Sequence, residues 1–345
     1  MAKLDYIVVG AGLAGTVLAW ELYREKKKFV VLADPLRPSS SRVAGGLFNP
    51  VTGKYLAKTW MADELFTCLE DFYPGIEGLT DERFFHQIGL YRPFSGQAHR
   101  DSAEVQIKKH ELQDWIRLED RPLAEQFKSA EGGMFSSRAG WLDLPRFLDA
   151  SKRFLSTHFR AHSFVHEDLK IEEDKVTYAE WEADGILFCE GWYAQQNPHF
   201  SWLPFNPVKG ETLLGKVNNY PLDYIVNQGK WILPLGQNTL RLGATYSWHE
   251  LDFLPSEKAR AALLEAAGKM LREDFVVEGQ EAGVRPATKD RRPFLGVHPK
   301  YRNVGIFNGL GAKGVSLAPY FARQFVGNLL RGEVINPEAN IERYY

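Results

Sequence analysis

Residues 6–34, YIVVGAGLAGTVLAWELYREKKKFVVLAD, read as strand, turn, helix and second strand, and the reading of the whole chain starts from them. Tyr6 to Val9 is a short β-branched and aromatic run. From Leu13 to Arg24 apolar residues return at helical spacing, at Leu13, Val17, Leu18 and Leu22. Lys26, Lys27 and Lys28 follow at the helix C-terminal end, where cations suit the helix dipole. Phe29 to Ala33 then has the unbroken apolar character of a strand buried on both faces. Gly10, Gly12 and Gly15 spell GxGxxG between the first strand and the helix, and Asp34 closes the second strand about 20 residues onward. Glycines at these places allow a tight turn, close approach of a pyrophosphate and close helix–strand packing. The helix start, with Ala11, Leu13 and Ala14 between the glycines, offers free N–H groups to the anion, and Asp34 can accept from ribose hydroxyls. The unit is a dinucleotide-binding βαβ. The motif by itself does not separate FAD from NAD.

The C-terminal region repeats this logic. A strand over Val304–Phe307 leads into Gly309, Gly311 and Gly314 and a helix from about Val315 to Leu330, but only 31 residues lie beyond the last glycine. No second βαβ unit can follow, so the two turns together suit one long cofactor touched at both ends. Between them, the polar stretch Pro35–Arg42 reads as a loop leading to the small residues Ala44, Gly45 and Gly46, where something lies close to the backbone. The pattern predicts strands over Phe84–Arg92, Val176–Tyr178, Gly185–Cys189, Phe205–Val217, Trp231–Pro234 and Thr239–Thr245, several pairing antiparallel. Helices are expected over Asp63–Phe72, Leu144–Thr157 and Glu257–Arg272, the last opening after Pro255 and Ser256. The buried run ending at Cys189, Glu190 and Gly191 stops where open α/β sheets place their ligands. In GVRPATKDRRPF (283–294), Arg285 stands before a proline on stiff backbone, as planar bidentate binding of a carboxylate needs; an ion pair with Asp290 is the plainer alternative.

The composition narrows the partners. The 345 residues carry 42 Lys and Arg against 44 Asp and Glu, a net charge of −2, so no global positive field gathers nucleic acid or anionic lipid. Cys68 and Cys189 lie far apart and form no CxxC, which fits a reducing cytoplasm and removes a disulfide framework or zinc knuckle. The opening apolar stretch is too short to span a bilayer and is studded with glycine, so it is a strand and not a signal segment. His158, His162 and His166 are spaced by four, but the helix before them ends too early to stack them as metal ligands, and no metal is expected. Ser316 falls inside a helix and is no nucleophile elbow, and Cys189 closes a buried strand as an inert small hydrophobe.

Seven ordered stretches make the chain resemble the glycine oxidase and D-amino acid oxidase-like family of FAD-dependent amine oxidoreductases nearly end to end. They are YIVVGAGLAG with VVLADP, SSSRVAGGLFNP, GWLDLPRFLDA, DGILFCEGW with LPFNPVKGETL, KWILPLGQNTLRLGATY, GVRPATKDRRPFLGVHP and NGLGAKGVSLAP. The resemblance implies a Rossmann-like α/β FAD-binding domain built from discontinuous segments, residues 1–78, 140–204 and 285–345, with an antiparallel-sheet substrate domain from 79–139 and 205–284. It implies that Gly10 to Gly15 hold the FAD pyrophosphate and Asp34, where the family more often has Glu, the adenosine ribose. Ser41, Arg42, Ala44, Gly45 and Gly46 would run beneath the flavin, and Val165 would offer backbone groups to adenine. Cys189, Glu190 and Gly191 would close a cofactor-facing strand, with Glu190 replacing a smaller residue. Gly309, Gly311, Ala312, Lys313 and Gly314 would form the turn at the flavin pyrimidine edge, Lys313 close to the chemistry. Arg285 would pair with a substrate carboxylate, and Trp231 stands where relatives often place a tyrosine over the substrate. The implied activity is oxidation of the C–N bond of a small-molecule amine or amino acid by hydride transfer to FAD, with oxygen or another acceptor taking the electrons. Two alternatives stand beside it. GLGAKG is also similar to the oxidoreductase half of a bifunctional tRNA wobble-uridine enzyme, which implies trimming of a carboxymethylaminomethyl group; and the changes at Trp231 and Glu190 would suit a flavoprotein without amine oxidation.

Overall fold

A strand whose last three residues are β-branched and buried sits at the centre of the computed structural model, which describes residues 2–53, 55–123, 125–128, 132–220 and 222–345. This strand, Ala2–Val9, buries Ile7, Val8 and Val9 and pairs in parallel with Phe29–Ala33 on one side and Trp181–Phe188 on the other, Val8 lying opposite both Val31 and Leu187. Phe159–Ala161 extends the parallel set beyond Phe29–Ala33, and Val304–Asn308 joins the end of Trp181–Phe188. Three antiparallel additions, Lys170–Ile171, Val176–Tyr178 and Phe294–Val297, complete an eight-stranded sheet. The helices Leu13–Arg24 and Gly314–Arg331 both bury apolar side chains in the core on one face of this sheet. The Trp20 indole N–H donates to Ser151 Oγ at 2.8 Å and fixes the first of them to the helix Leu144–Phe154. Phe164, Phe200, Leu203 and Ile341 cover the other face.

A second eight-stranded sheet runs in the order Val276–Arg285, Val208–Lys216, Thr239–Gly243, Lys230–Gly236, Ile225–Gln228, Leu90–Pro93, Gly133–Ser136 and Arg117–Glu119. Its neighbours are antiparallel except Ile225–Gln228 with Leu90–Pro93, which is parallel. Helix Glu257–Met270 packs Leu263, Ala267 and Met270 against Leu213, Leu240 and Leu242 of this sheet. The architecture is the expected one: a Rossmann-like α/β unit drawn from separated segments, and a second, mainly antiparallel sheet. Among the described residues no helix is long and apolar enough to cross a membrane.

Several elements differ from the sequence pattern. The helix expected over Asp63–Phe72 runs from Ala62 to Thr80, through Pro74. The lost N–H of Pro74 is outweighed by tertiary contacts beyond it: Ile76 and Glu77 are buried, and the Glu77 carboxylate accepts from the N–H groups of Phe84 and Phe85 at 2.7 and 2.8 Å. The strand expected over Phe84–Arg92 is two short strands, Phe85–His86 and Leu90–Pro93, with Gly89 between them in the left-handed region at φ +76°. The helix Gln97–Lys109 and the strand Val276–Arg285 were not expected, because their polar surfaces blur the apolar period, and Gly133–Ser136 is too short to show one. Ser40–Val43, at the end of the expected loop, forms one helical turn. His158 precedes the strand Phe159–Ala161, His162 follows it and His166 opens a 3-10 turn, so their spacing of four is not a helix face. Ser256 caps its helix as expected, accepting from the Ala259 N–H at 3.3 Å.

Candidate active site

The ends of the parallel strands and one face of the second sheet enclose a cavity of about 650 Å³. At its inner end the first strand turns into the helix at Gly10, whose φ of +106° and contact with the Cys189 carbonyl leave no room for a Cβ. Gly12, at the helix N-cap, supplies no capping side chain. Of the first-turn N–H groups, that of Leu13 donates to Ser41 Oγ at 3.0 Å, so the loop that follows Asp34 is tied directly to the helix start. The second glycine turn reaches the same cavity through Gly311, Ala312 and Gly314, ahead of a helix whose N-cap, Lys313, also makes no side-chain capping bond. Two helix N-termini thus converge on one space, a double concentration of N–H donors and positive dipole ends suited to phosphate and to an electron-rich ring edge. Ser41, Arg42, Ala44, Gly45, Gly46, Cys189, Glu190 and Gly191 line the space between them, and Asp34 borders its far end. Asp34 accepts from the Leu36 N–H and Ser163 Oγ, both at 2.9 Å, and pairs with Arg37 at 3.3 Å. Arg42 points outward to Asp149 at 2.6 Å.

The opposite wall belongs to the antiparallel sheet. Gly210, Thr212, Trp231, Ala244, Tyr246 and Arg285 line it. The Trp231 indole fills the space over two glycines: a Cβ at Gly45 would lie 2.6 Å from its ring and one at Gly243 2.5 Å. Arg285, last residue of Val276–Arg285, lays its guanidinium across Gly210 and stacks on Tyr246 at 4.6 Å, donating from Nη1 to the Thr245 carbonyl at 3.3 Å. Among the described residues no carboxylate pairs with it. Asp290, the partner considered from sequence, bonds Arg343 and Tyr344 instead, at 3.0 and 2.7 Å. Burial pushes the Arg285 guanidinium below its ordinary value, and beside it Lys230 is lowered first by burial and then by Arg285. A part-buried cation with no counter-ion among the described residues favours an anion at this wall.

Other expected residues sit elsewhere. The Lys313 side chain does not line the cavity: its Nζ donates to Thr59 Oγ1 at 3.3 Å, and burial, then Arg292 and Arg291, push the ammonium below its ordinary value. Val165 lies outside the lining too. Its N–H donates to Tyr178 Oη at 3.0 Å and its carbonyl accepts from Asp168, so the groups expected to meet adenine are engaged within the chain. Gly15 and Gly309 shape their turns from behind. Glu190 lines the cavity, and its carboxylate is held by Asn197 at 2.7 Å and His166 at 3.2 Å, which directs its oxygens to residues of its own wall. Cys189 is buried, and burial drives its thiol far up. Sequence reasoning missed Gly210, Thr212 and Tyr246. Gly210 and Thr212 stand on a strand whose alternation was visible, but the face turned to the cavity is set by the sheet's packing against the α/β unit; Tyr246 lies in the irregular segment after Thr239–Gly243.

These features are those of a dinucleotide-dependent enzyme, with a second sheet forming the opposite wall of the cavity and placing a cation on it. Residues 5–326 match the model of the DAO family, FAD dependent oxidoreductase, and the chain belongs to that family; FAD is its cofactor. It is 30% identical to glycine oxidase from Bacillus subtilis, over 97% of this chain and 94% of that one. It is 23% identical to a bifunctional tRNA 5-methylaminomethyl-2-thiouridine biosynthesis protein from Leptospira interrogans, over 98% of this chain but 59% of that one. Among solved structures, iminodiacetate oxidase from Chelativorans superposes with a TM-score of 0.81 at 18% identity, covering 99% of this chain and 98% of that one.

Proposed function

We propose that this protein oxidises the C–N bond of an amine or amino acid that carries a carboxylate, of the glycine, sarcosine or D-amino acid type. The observation that carries the reading is Arg285, a part-buried guanidinium facing the cavity with no carboxylate partner among the described residues. Its planar donors bind a carboxylate in two parallel bonds and so fix the orientation of the carbon next to it. Gly10 to Gly15 hold the FAD pyrophosphate, Asp34 the ribose, and Ser41 to Gly46 the underside of the ring system. The N–H groups of Ala312 and Gly314, at a helix start, would serve the edge that becomes electron-rich, while the Gly311 N–H donates to the Pro286 carbonyl at 3.2 Å and fixes the turn. Bound FAD supplies the two-electron acceptor. The C–H bond beside nitrogen breaks with its electron pair leaving as hydride, nitrogen gives up a proton to water, and the resulting imine adds water to yield a carbonyl compound and the amine. Oxygen or another acceptor then takes the electrons. Trp231 and the sheet wall exclude water from the reacting face without contributing a proton. Residues 1–78, 140–204 and 285–345 serve the cofactor in this reading and 79–139 and 205–284 the substrate. The two unpaired, buried thiols suit a cytoplasmic setting.

The test is the visible spectrum of the FAD-loaded protein during anaerobic addition of glycine, sarcosine, proline and D-amino acids. Bleaching by a panel member, lost in Arg285→Ala with flavin content retained, is the expected result. Bleaching that is equally fast in Arg285→Ala sinks the carboxylate role. One feature favours a second reading, in which the amine sits on a tRNA base: Tyr246 borders the cavity, is 58% exposed and has Trp248 stacked on it at 6.5 Å, a platform wider than a free amino acid uses. Binding of tRNA at physiological salt, with no bleaching by the panel, would favour it over the first.

A further inference from the structure

The strand Val208–Lys216 turns two faces to two tasks. Gly210 and Thr212 face the cavity. Lys209 and Glu211, on the alternate face, are both buried, although neither residue type is buried without a purpose to match its desolvation. Apart from Gln280 on the strand Val276–Arg285, their side-chain partners lie within residues 252–256, the end of the segment 245–256. Lys209 Nζ donates to Asp252 Oδ1 at 2.7 Å and to the Leu254 carbonyl at 2.6 Å. The Glu211 carboxylate accepts from the Ser256 N–H at 2.7 Å, from Ser256 Oγ at 2.8 Å and from Gln280 Nε2 at 2.8 Å, and lies 3.8 Å from Lys209. Backbone bonds tie the beginning of the same segment to the same two residues: Ser247 and Lys209 exchange N–H to carbonyl bonds at 2.8 and 3.0 Å, and the Thr245 N–H donates to the Glu211 carbonyl at 3.1 Å.

That segment is what holds Arg285. Thr245 accepts from its Nη1, and Tyr246 lies flat beneath its guanidinium. Further along, Phe253 stacks on Tyr193 and packs against Trp192, which line the cofactor side of the cavity. Residues 245–256 therefore bridge both walls of the cavity mouth with little apolar anchorage of their own: Trp248 is 57% and Leu254 70% exposed. A bridge of this kind is held in place by its polar pins.

We infer that Lys209 and Glu211 are positioning residues for the substrate clamp: they fix residues 245–256, and through Thr245 and Tyr246 they set where the Arg285 guanidinium stands. The inference rests on Arg285 as the carboxylate ligand. Lys209→Met removes the cation while Glu211 keeps Ser256 and Gln280, and the half-exposed Asp252 regains water. In the FAD-loaded full-length variant, KM for the amine that bleaches the wild type rises about tenfold or more while kcat stays within about threefold, since a clamp moved by an ångström weakens substrate capture before it alters the cofactor. Chymotrypsin nicks residues 246–254 faster, with flavin content unchanged. Asp252→Asn, at the solvent end of the same pin, shifts both readouts the same way by less and adds nothing to Lys209→Met in the double variant. It decides the matter if Lys209→Met does not fold. Unchanged KM with unchanged nicking, or lost kcat at constant KM, overturns the inference. If no amine bleaches the wild type, the amine reading has failed, and the nicking rates alone then support or overturn the pinning of the segment.

Discussion

The two glycine-rich turns share a spelling and a task but not a physical situation. At the first, a Cβ on Gly10 would run into the Cys189 carbonyl and one on Gly15 into the Gly10 carbonyl; both obstacles are backbone, locked in the parallel sheet. At the second, a Cβ on Gly314 would lie 2.9 Å from Leu13 Cδ2, a side-chain terminus that can rotate, and one on Gly311 would have 3.7 Å to Ala287, with only its φ of +54° against it. The first turn is closed by the sheet itself. The second is closed by what packs on it, so the same motif is expected to tolerate change very differently at its two occurrences.

Gly10→Ala breaks this comparison most forcefully. Neither the strand end nor the Cys189 carbonyl can move without parting the sheet, and the residue must also keep a left-handed φ, so a cost of about 3 kcal/mol is expected. The purified variant should be colourless and melt early. If it is yellow with wild-type flavin content, the backbone obstacle is not decisive. Gly210→Ala comes next and sharpens the distinction, because its obstacle is the Arg285 guanidinium, the end of a flexible chain. It should fold and bind FAD, yet raise KM for the amine about ten- to a hundredfold by evicting the clamp. Retained affinity would mean that Arg285 does not bind the substrate from its place over Gly210. Gly314→Ala is smaller again: Leu13 changes rotamer, costing about 1 kcal/mol, and the flavin stays bound. Colourless protein there would make the two turns equivalent.

The same contrast explains what could be read from sequence. Gly10 to Asp34 was legible because a local rule joins period, turn and acid within one βαβ unit, and contacts within that unit bring them together. Arg285 was legible as a residue type beside a proline, whereas the strand that carries it was not: Val276–Arg285 is an edge strand with Glu278, Gln280 and Glu281 on it, and its register against Val208–Lys216 is decided by the partner. Tyr246 and the pins at Lys209 and Glu211 needed the tertiary arrangement, since a buried lysine two residues from a buried glutamate looks in sequence like an ordinary exposed pair. Lys313 and Val165 were placed by alignment alone, which carries neither side-chain direction nor the partners of a backbone group: the Lys313 side chain turns to Thr59, and the Val165 N–H is taken by Tyr178.

The smallest effect is expected at Lys313, the cation that distinguishes the second turn from the first. Burial disfavours its ammonium first, and Arg292 and Arg291 oppose it further. Lys313→Met should therefore stabilise the fold by a few tenths of a kcal/mol, about 0.5 at most. Because the lysine's folded value lies below its ordinary value of 10.5, its unfavourable contribution is complete at neutral pH and fades as pH rises through the lowered value towards 10.5. The stability advantage of the variant, measured by thermal unfolding against pH, should shrink in that same window. Flavin content and the rate of anaerobic bleaching should stay within about twofold, a difference of about 0.4 kcal/mol in barrier. A tenfold slower bleaching would bring the ammonium back to the flavin edge and make the second turn act through its side chain as well as its backbone.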